Sequence, residues 1–238
     1  HNPQVNALLR QAGVGFLSDP GQSVEQVEAA DVVILPAFGV SVDALQQLDR
    51  RGCTLIDTTC GSVLNVWKAV KRYTAEGFTA VIHGKVHHEE TKATASQALI
   101  AENGRYLIIL DRDEATLVCD FIRGQTSVDQ FRAAFSEAYS PGFDPVTDLC
   151  RVGLANQTTM LMSESVEIGE MIRLAMIDRY GQNVVGSHYQ AFETICSATQ
   201  DREDAVNSLL SGQRFDLAVV IGGYNSSNTR NLARICAE

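Results

Sequence analysis

The chain alternates short, continuous apolar runs with longer stretches in which apolar residues recur every three or four positions. Residues 31–36 (Asp-Val-Val-Ile-Leu-Pro) form a short apolar run bounded by polar and turn residues, the pattern of a buried strand. Residues 53–58, 79–84, 106–110, 151–156 and 216–223 carry the same signature and predict five more strands. Between them the period changes. Val63, Val66, Trp67 and Val70 stand at i, i+3, i+4 and i+7, which predicts a helix with one apolar face. Ile168, Met171, Ile172 and Ala175 predict a second, longer one, and residues 114–123, 128–138 and 201–210 also read as helical. A further helix is expected to open soon after residue 223, and residues 140–145 form a loop by their proline and glycine content. Strands alternating with helices imply parallel sheets covered by helices, an α/β fold.

Composition narrows the class. A length of 238 residues suits one large domain or two to three small ones, and an apolar share of 45% supports a proper core. The formal net charge of −10 argues against nucleic acid as a partner, because neutralising phosphates needs a basic surface. No apolar run approaches the roughly 20 residues needed to span a bilayer; the run from Val32 to Val40 is interrupted by Pro36 and Gly39. No membrane association, signal peptide or transit segment is expected. The six cysteines are Cys53, Cys60, Cys119, Cys150, Cys196 and Cys236, without a CxxC pair, so a reducing, cytoplasmic-type compartment is expected. The chain opens at His1 without an initiator Met and stops at Glu238 inside a helical pattern, so further residues are expected on both sides.

The chemically capable residues cluster just after the predicted strands, where parallel α/β sheets bind ligands. Ser226, Ser227 and Asn228 follow Gly222-Gly223 and open a helix. Free N–H groups at a helix start favour an anion, although Ser and Asn in such a place also serve as ordinary caps. His88 and Glu90 can supply hydrogen bonds and a proton; His87 and Glu89 lie beside them, and the spacing does not say which pair points inward. Thr158, in the run Asn156-Gln-Thr-Thr159, can orient a substrate hydroxyl or cap the following helix. Cys60 and Cys196 sit among hydroxyl residues rather than apolar ones, which suits a metal or redox thiolate. With no short metal motif, any site must be assembled from distant parts of the chain.

Eight stretches in order resemble the 4-hydroxy-3-methylbut-2-enyl diphosphate reductase family. They are His1-Asn-Pro-Gln-Val, Leu35-Pro-Ala-Phe-Gly-Val, Asp57-Thr-Thr-Cys, Val81-Ile-His-Gly-Lys, His88-Glu-Glu-Thr, Ala155-Asn-Gln-Thr-Thr-Met-Leu, Thr194-Ile-Cys-Ser-Ala-Thr-Gln-Asp-Arg and Gly222-Gly-Tyr-Asn-Ser-Ser-Asn-Thr. Their wording is closest to the plant and cyanobacterial branch. The resemblance implies three similar α/β subdomains with parallel sheets, arranged as a trefoil around a central site. Here they would span residues 1–60 (N-terminal part missing), 61–193 and 194–238 (C-terminal part missing).

The resemblance also implies roles. Cys60 and Cys196 would be two of three ligands to a 4Fe–4S cluster, with the third upstream of this chain. His1, His88, Ser226, Ser227 and Asn228 would contact the diphosphate, Glu90 would relay protons, and Thr158 would orient the substrate. The implied reaction is the reductive dehydroxylation of an allylic diphosphate to isopentenyl and dimethylallyl diphosphates in the non-mevalonate isoprenoid pathway. Electrons would come from a ferredoxin or flavodoxin, in a bacterial cytoplasm or a plastid stroma. The chain departs from the pattern in three places: it begins after the family's first cysteine ligand, it lacks a C-terminal serine, and Phe38 stands where many bacterial members carry His. The isolated chain is therefore expected not to hold a normal cluster. Two other readings of the residues stand beside this one, a cluster-free phosphate-ester enzyme using His88 and Glu90, and a non-catalytic diphosphate-binding module.

Overall fold

A computed structural model describes residues 2–191, 197–212, 215–223 and 226–237. In chain order the elements are α1 (Pro3–Gln11), β1 (Val32–Leu35), α2 (Val42–Arg51), β2 (Thr54–Asp57), α3 (Gly61–Ala75), β3 (Thr79–His83), α4 (Glu89–Ala98), β4 (Tyr106–Ile109), α5 (Arg112–Ile122), α6 (Val128–Ala134), α7 (Pro145–Asp148), β5 (Val152–Asn156), α8 (Met162–Tyr180), β6 (Tyr189–Ala191), α9 (Ser197–Gly212) and α10 (Ser227–Ala237). The described residues divide into two compact units. One comprises residues 2–34, 43–56 and those from 198 onward; the other comprises residues 35–42 and 57–197.

The second unit carries a four-stranded sheet in the order β4-β3-β5-β6. All three pairings are parallel. The central strands β3 and β5 are buried at every position, as strands covered on both faces must be. Helix α3 turns Val63, Val66, Val70 and Tyr73 inward, and α8 turns Ile168, Ile172 and Ala175 inward, as the spacing predicts. Phe131 anchors an aromatic cluster under the sheet, with ring centroids 4.9 Å from Phe121 and 4.7 Å from Phe135. Helix α6 stops at Ala134, four residues short of the predicted helix. The chain turns there so that Tyr139 can bridge to Leu107 and Ala138 can accept the Ile108 N–H at 2.7 Å.

In the first unit the Thr54 N–H donates to the Asp31 carbonyl at 2.9 Å. In the second, four residues further along both strands, the Thr58 N–H donates to the Leu35 carbonyl at 3.4 Å. Pairing that advances in step along β1 and β2 is parallel pairing. Helix α1 is capped by Asn2, whose side chain accepts the Gln4 and Val5 N–H groups, with Pro3 preset for the first turn.

One predicted element is corrected. Residues 216–223 are not a strand: among the described residues nothing pairs with them, and Leu217, Val219 and Ile221 are 78%, 72% and 92% exposed. A strand needs a neighbour for its N–H and C=O groups, and hydrophobic content alone does not supply one. Among the described residues, no helix is long and apolar enough to cross a membrane.

Candidate active site

The site is built where β3 and β5 end side by side. His83 closes β3 in register with Asn156 at the end of β5, so the loops after both strands leave the same edge of the sheet. The two loops are joined at once, because the Gln157 N–H donates to the His83 carbonyl at 2.8 Å.

The loop after β3 turns back tightly and delivers His88 to the head of α4, where the His88 N–H bonds the Lys85 carbonyl. His88 Nδ1 accepts the Glu90 N–H at 3.2 Å. A backbone N–H can only donate, so Nδ1 carries no proton and the neutral ring holds its proton on Nε2. Burial lowers the pKa of His88, Lys85 lowers it further, and Glu89 opposes them. The imidazole is thus presented as a neutral hydrogen-bond donor.

The helix start also decides which pair faces in. Glu90 is 3% exposed. His87 and Glu89 point outward, forming surface pairs with Glu137 and Lys92. Glu90 Oε1 accepts the Thr158 N–H at 2.5 Å. Burial pushes the Glu90 carboxyl upward in pKa, opposed by the hydrogen bonds from the Thr158 backbone and side chain. A buried carboxyl with a raised pKa, touching a hydroxyl, is suited to handing on a proton. Glu90, His88 and Thr158 are therefore brought together.

Gln157 fixes this geometry. Its side-chain oxygen accepts from the Lys85 N–H at 3.2 Å and the Thr91 hydroxyl at 3.1 Å, while its NH2 donates to Thr159 at 2.7 Å. One fully buried carboxamide so ties the loop after β3, the first turn of α4 and the loop after β5. Gly84 leaves room for it: a Cβ there would lie 2.8 Å from Thr91 Oγ1 and 3.1 Å from Gln157 Cβ. His83 stands behind the site with Nδ1 2.7 Å from Ser165 Oγ, and burial drives its pKa down to about 4.

Cys60 is the exposed N-cap residue of α3, and its side chain makes no cap hydrogen bond. Its N–H donates to the Ala37 carbonyl at 2.8 Å, fastening the loop that carries Phe38. Gly39, with φ +76°, lies so close to Trp67 that a Cβ would approach the indole to 2.3 Å, so this turn requires glycine both for its backbone and for its space. The indole N–H reaches Thr94 of α4 at 3.2 Å. This brace from α3 to α4 has only a weak sequence signal, a lone Trp on a helix face and a glycine after Phe38.

Ser226 precedes α10, and its hydroxyl oxygen accepts the Thr229 N–H at 3.3 Å, the bond of an ordinary cap. Its hydroxyl proton is still available to an anion. Ser227 is buried. Asn228 Oδ1 is shielded without a hydrogen-bond partner among the described residues. Flipping that carboxamide would put an NH2 donor in the same place. His1 and Cys196 lie outside the described residues.

Among the described residues no three His, Cys, Asp or Glu side chains gather into a metal site. Cys60 has the exposure and free sulphur that one corner of a thiolate-held cluster needs, while Cys119 is buried with its thiol pushed up to about 11. The described donors thus fit part of a cluster site and do not complete one.

The chain resembles known proteins along its whole length. The family model described as LytB protein matches residues 1–238. The 4-hydroxy-3-methylbut-2-enyl diphosphate reductase of Synechococcus sp. (strain RCC307) is 51% identical over 240 residues, covering 100% of this chain and 58% of that protein. The protein of the same name from Thermosynechococcus vestitus (strain NIES-2133 / IAM M-273 / BP-1) is 50% identical with the same coverage. The chain therefore spans 58% of the length of these curated relatives. A solved (E)-4-hydroxy-3-methyl-but-2-enyl diphosphate reductase, the terminal enzyme of the non-mevalonate pathway, superposes with a TM-score of 0.61 at 27% identity, covering 99% of this chain and 67% of that one. The E-1-hydroxy-2-methyl-but-2-enyl-4-diphosphate reductase of Plasmodium falciparum shares the fold, with a TM-score of 0.71 at 20% identity over 100% of this chain and 61% of that one. The chain belongs to the LytB protein family.

Proposed function

We propose that the protein is an oxidoreductase that removes the hydroxyl group of 4-hydroxy-3-methylbut-2-enyl diphosphate. The carbon–oxygen bond breaks, two electrons and two protons are taken up, and isopentenyl or dimethylallyl diphosphate leaves with water. The observation that carries the reading is the buried Glu90 carboxyl bonded to Thr158, two residues from the neutral donor His88. Half-identical relatives bearing the reductase name support it.

In this reading His88 donates its Nε2 proton in a hydrogen bond to a diphosphate oxygen. Ser226, Ser227 and Asn228 supply further donors at the head of α10, where the helix dipole favours negative charge. His1 would join them. Thr158 orients the substrate hydroxyl, and Glu90 delivers a proton to the departing oxygen through it. A 4Fe–4S cluster supplies the electrons when bound; Cys60, Cys196 and a third thiolate upstream of His1 would hold it. The donor to the cluster would be a ferredoxin or flavodoxin, the subdomains would divide at 1–60, 61–193 and 194–238, and cyanobacterial relatives accord with a cytoplasmic setting.

The test is anaerobic purification of the full-length gene product, an iron and sulphide assay, and turnover of the allylic diphosphate with an artificial reductant. Air-sensitive turnover with about four irons per chain is expected. Turnover that persists in air and after iron chelation would overturn the reading in favour of acid–base chemistry on the phosphate ester.

A further inference from the structure

Helix α3 presents a stripe of positive charge on a chain whose net charge is −10. Lys68, Lys71 and Arg72 stand at i, i+3 and i+4, so they share one helix face, and all three are exposed. The helix contains no Asp or Glu. Lys68 and Lys71 form no ion pair with a described carboxylate. Arg72 lies over the Tyr73 ring at 5.5 Å.

Six of the other cations in the same unit behave differently. Lys92, Arg105, Arg112, Arg123, Arg132 and Arg173 each lie against a carboxylate. Acidic residues outnumber basic ones, 29 to 19, so a face with three cations and one carboxylate, Glu76 at the helix C-cap, departs from the rest of the surface. The same helix begins at Cys60, and its exposed positions Gly61, Asn65, Lys68 and Arg72 run from that exposed cysteine along the solvent side. The opposite face, with Val63, Val66 and Val70, is committed to the core, so the stripe is not needed to hold the helix.

We infer that this face of α3 is the docking surface for an acidic electron-carrier protein. Opposite charge across an interface steers encounter and sets orientation more than it adds affinity. A basic stripe leading to Cys60 would seat a carboxylate-rich carrier with its redox centre toward the cysteine end of the helix. The inference rests on the reductase reading, which requires electrons from a separate protein.

The test titrates a carboxylate-rich 2Fe–2S ferredoxin against the full-length protein at about 50 and about 200 mM salt, a range over which screening of exposed charges strengthens. Inorganic diphosphate is titrated in parallel. The charge-reversed pair Lys68→Glu/Lys71→Glu is expected to bind ferredoxin about tenfold more weakly, with a flatter salt dependence, since such changes act on steering. Lys68→Gln/Lys71→Gln should fall between it and the wild type. Both pairs should bind diphosphate as the wild type does and turn over normally with dithionite and methyl viologen. Equal ferredoxin affinity in the wild type and the Gln pair, or a wild-type affinity that ignores salt, would overturn the inference, and the Gln pair decides the matter should the Glu pair fail to fold. A wild-type protein that does not bind diphosphate would instead defeat the reductase reading itself.

Discussion

Two turns in this molecule look alike in sequence and differ in structure. Residues 79–90 and residues 216–228 both carry the pattern of a strand followed by a polar, ligand-capable helix start. At the first, β3 lies between two parallel neighbours, and the loop behind it is bonded to the loop after β5. Each polar side chain there is held by a specific bond, for His88 caps α4, Glu90 accepts from Thr158, and Gln157 joins three segments. At the second, the apolar residues before the turn are exposed and unpaired among the described residues, and Ser226 caps α10 by accepting the Thr229 N–H. Local sequence proposes a ligand site in both places; a paired, covered strand gives the first one its fixed geometry.

The contrast can be broken at its foundation. Phe131 is 1% exposed at the centre of the aromatic cluster under the sheet. Phe131→Ala should cost about 3–5 kcal/mol of unfolding free energy, as buried aromatic truncations do, measured by denaturant titration. A loss below about 1 kcal/mol would show that the core does not hold the first turn in place.

Paired glycine substitutions sharpen it. Gly84→Ala should cost about 2 kcal/mol, because Thr91 and Gln157 are both locked and the added carbon overpacks a closed network. Gly222→Ala meets Thr229 still more closely, with Oγ1 at 2.0 Å, yet its segment is exposed and unpaired among the described residues. It should shift rather than strain, costing under about half as much. Equal costs from thermal melts would contradict the claim that only the first turn is rigid.

Titration probes the first turn in another way. His83 has a folded pKa of about 4, below the roughly 6.5 of a free imidazole. The unfolded state therefore binds the proton more readily, and stability falls as pH drops from 6.5 towards 4. Between pH 7 and 5 this one group should remove about 2 kcal/mol. Glu90 acts with the opposite sign: its raised pKa contributes stability at low pH that is lost as pH rises through the carboxylate range. His83→Leu should flatten the fall in melting temperature between pH 7 and 5. An unchanged fall would place the acid sensitivity elsewhere.

The smallest effect is expected at the second turn, where Ser226→Ala should cost about 1 kcal/mol, the usual value of a helix cap. Diphosphate affinity of the same variant measures whether the hydroxyl proton serves a ligand as well.

Much of the fold is legible in the sequence because hydrophobic period reports burial directly. Val63, Val66 and Val70 on α3, and the full run of β3, are buried as their spacing requires. The choice between His87–Glu89 and His88–Glu90 is not legible, because it depends on where α4 begins, and that is set by His88 capping its own helix. Residues 216–223 mislead for a related reason: apolar content is local, whereas pairing belongs to the sheet. Strand β6, with three residues, is shorter than any periodicity and gives no signal of its own. The Trp67–Thr94 brace depends on a contact across 27 positions that no local pattern announces.

The central claim is that Glu90 supplies the proton in a site whose binding work is done by other groups. Glu90→Gln in the full-length, cluster-loaded protein keeps the size and the acceptor oxygen facing Thr158 and removes the acidic proton. Steady-state turnover and the substrate dissociation constant should be measured together. The account predicts turnover lower by about 10²–10⁴-fold, the usual contribution of a positioned acid, with the dissociation constant within about threefold of the wild type. Wild-type turnover in this variant would contradict it.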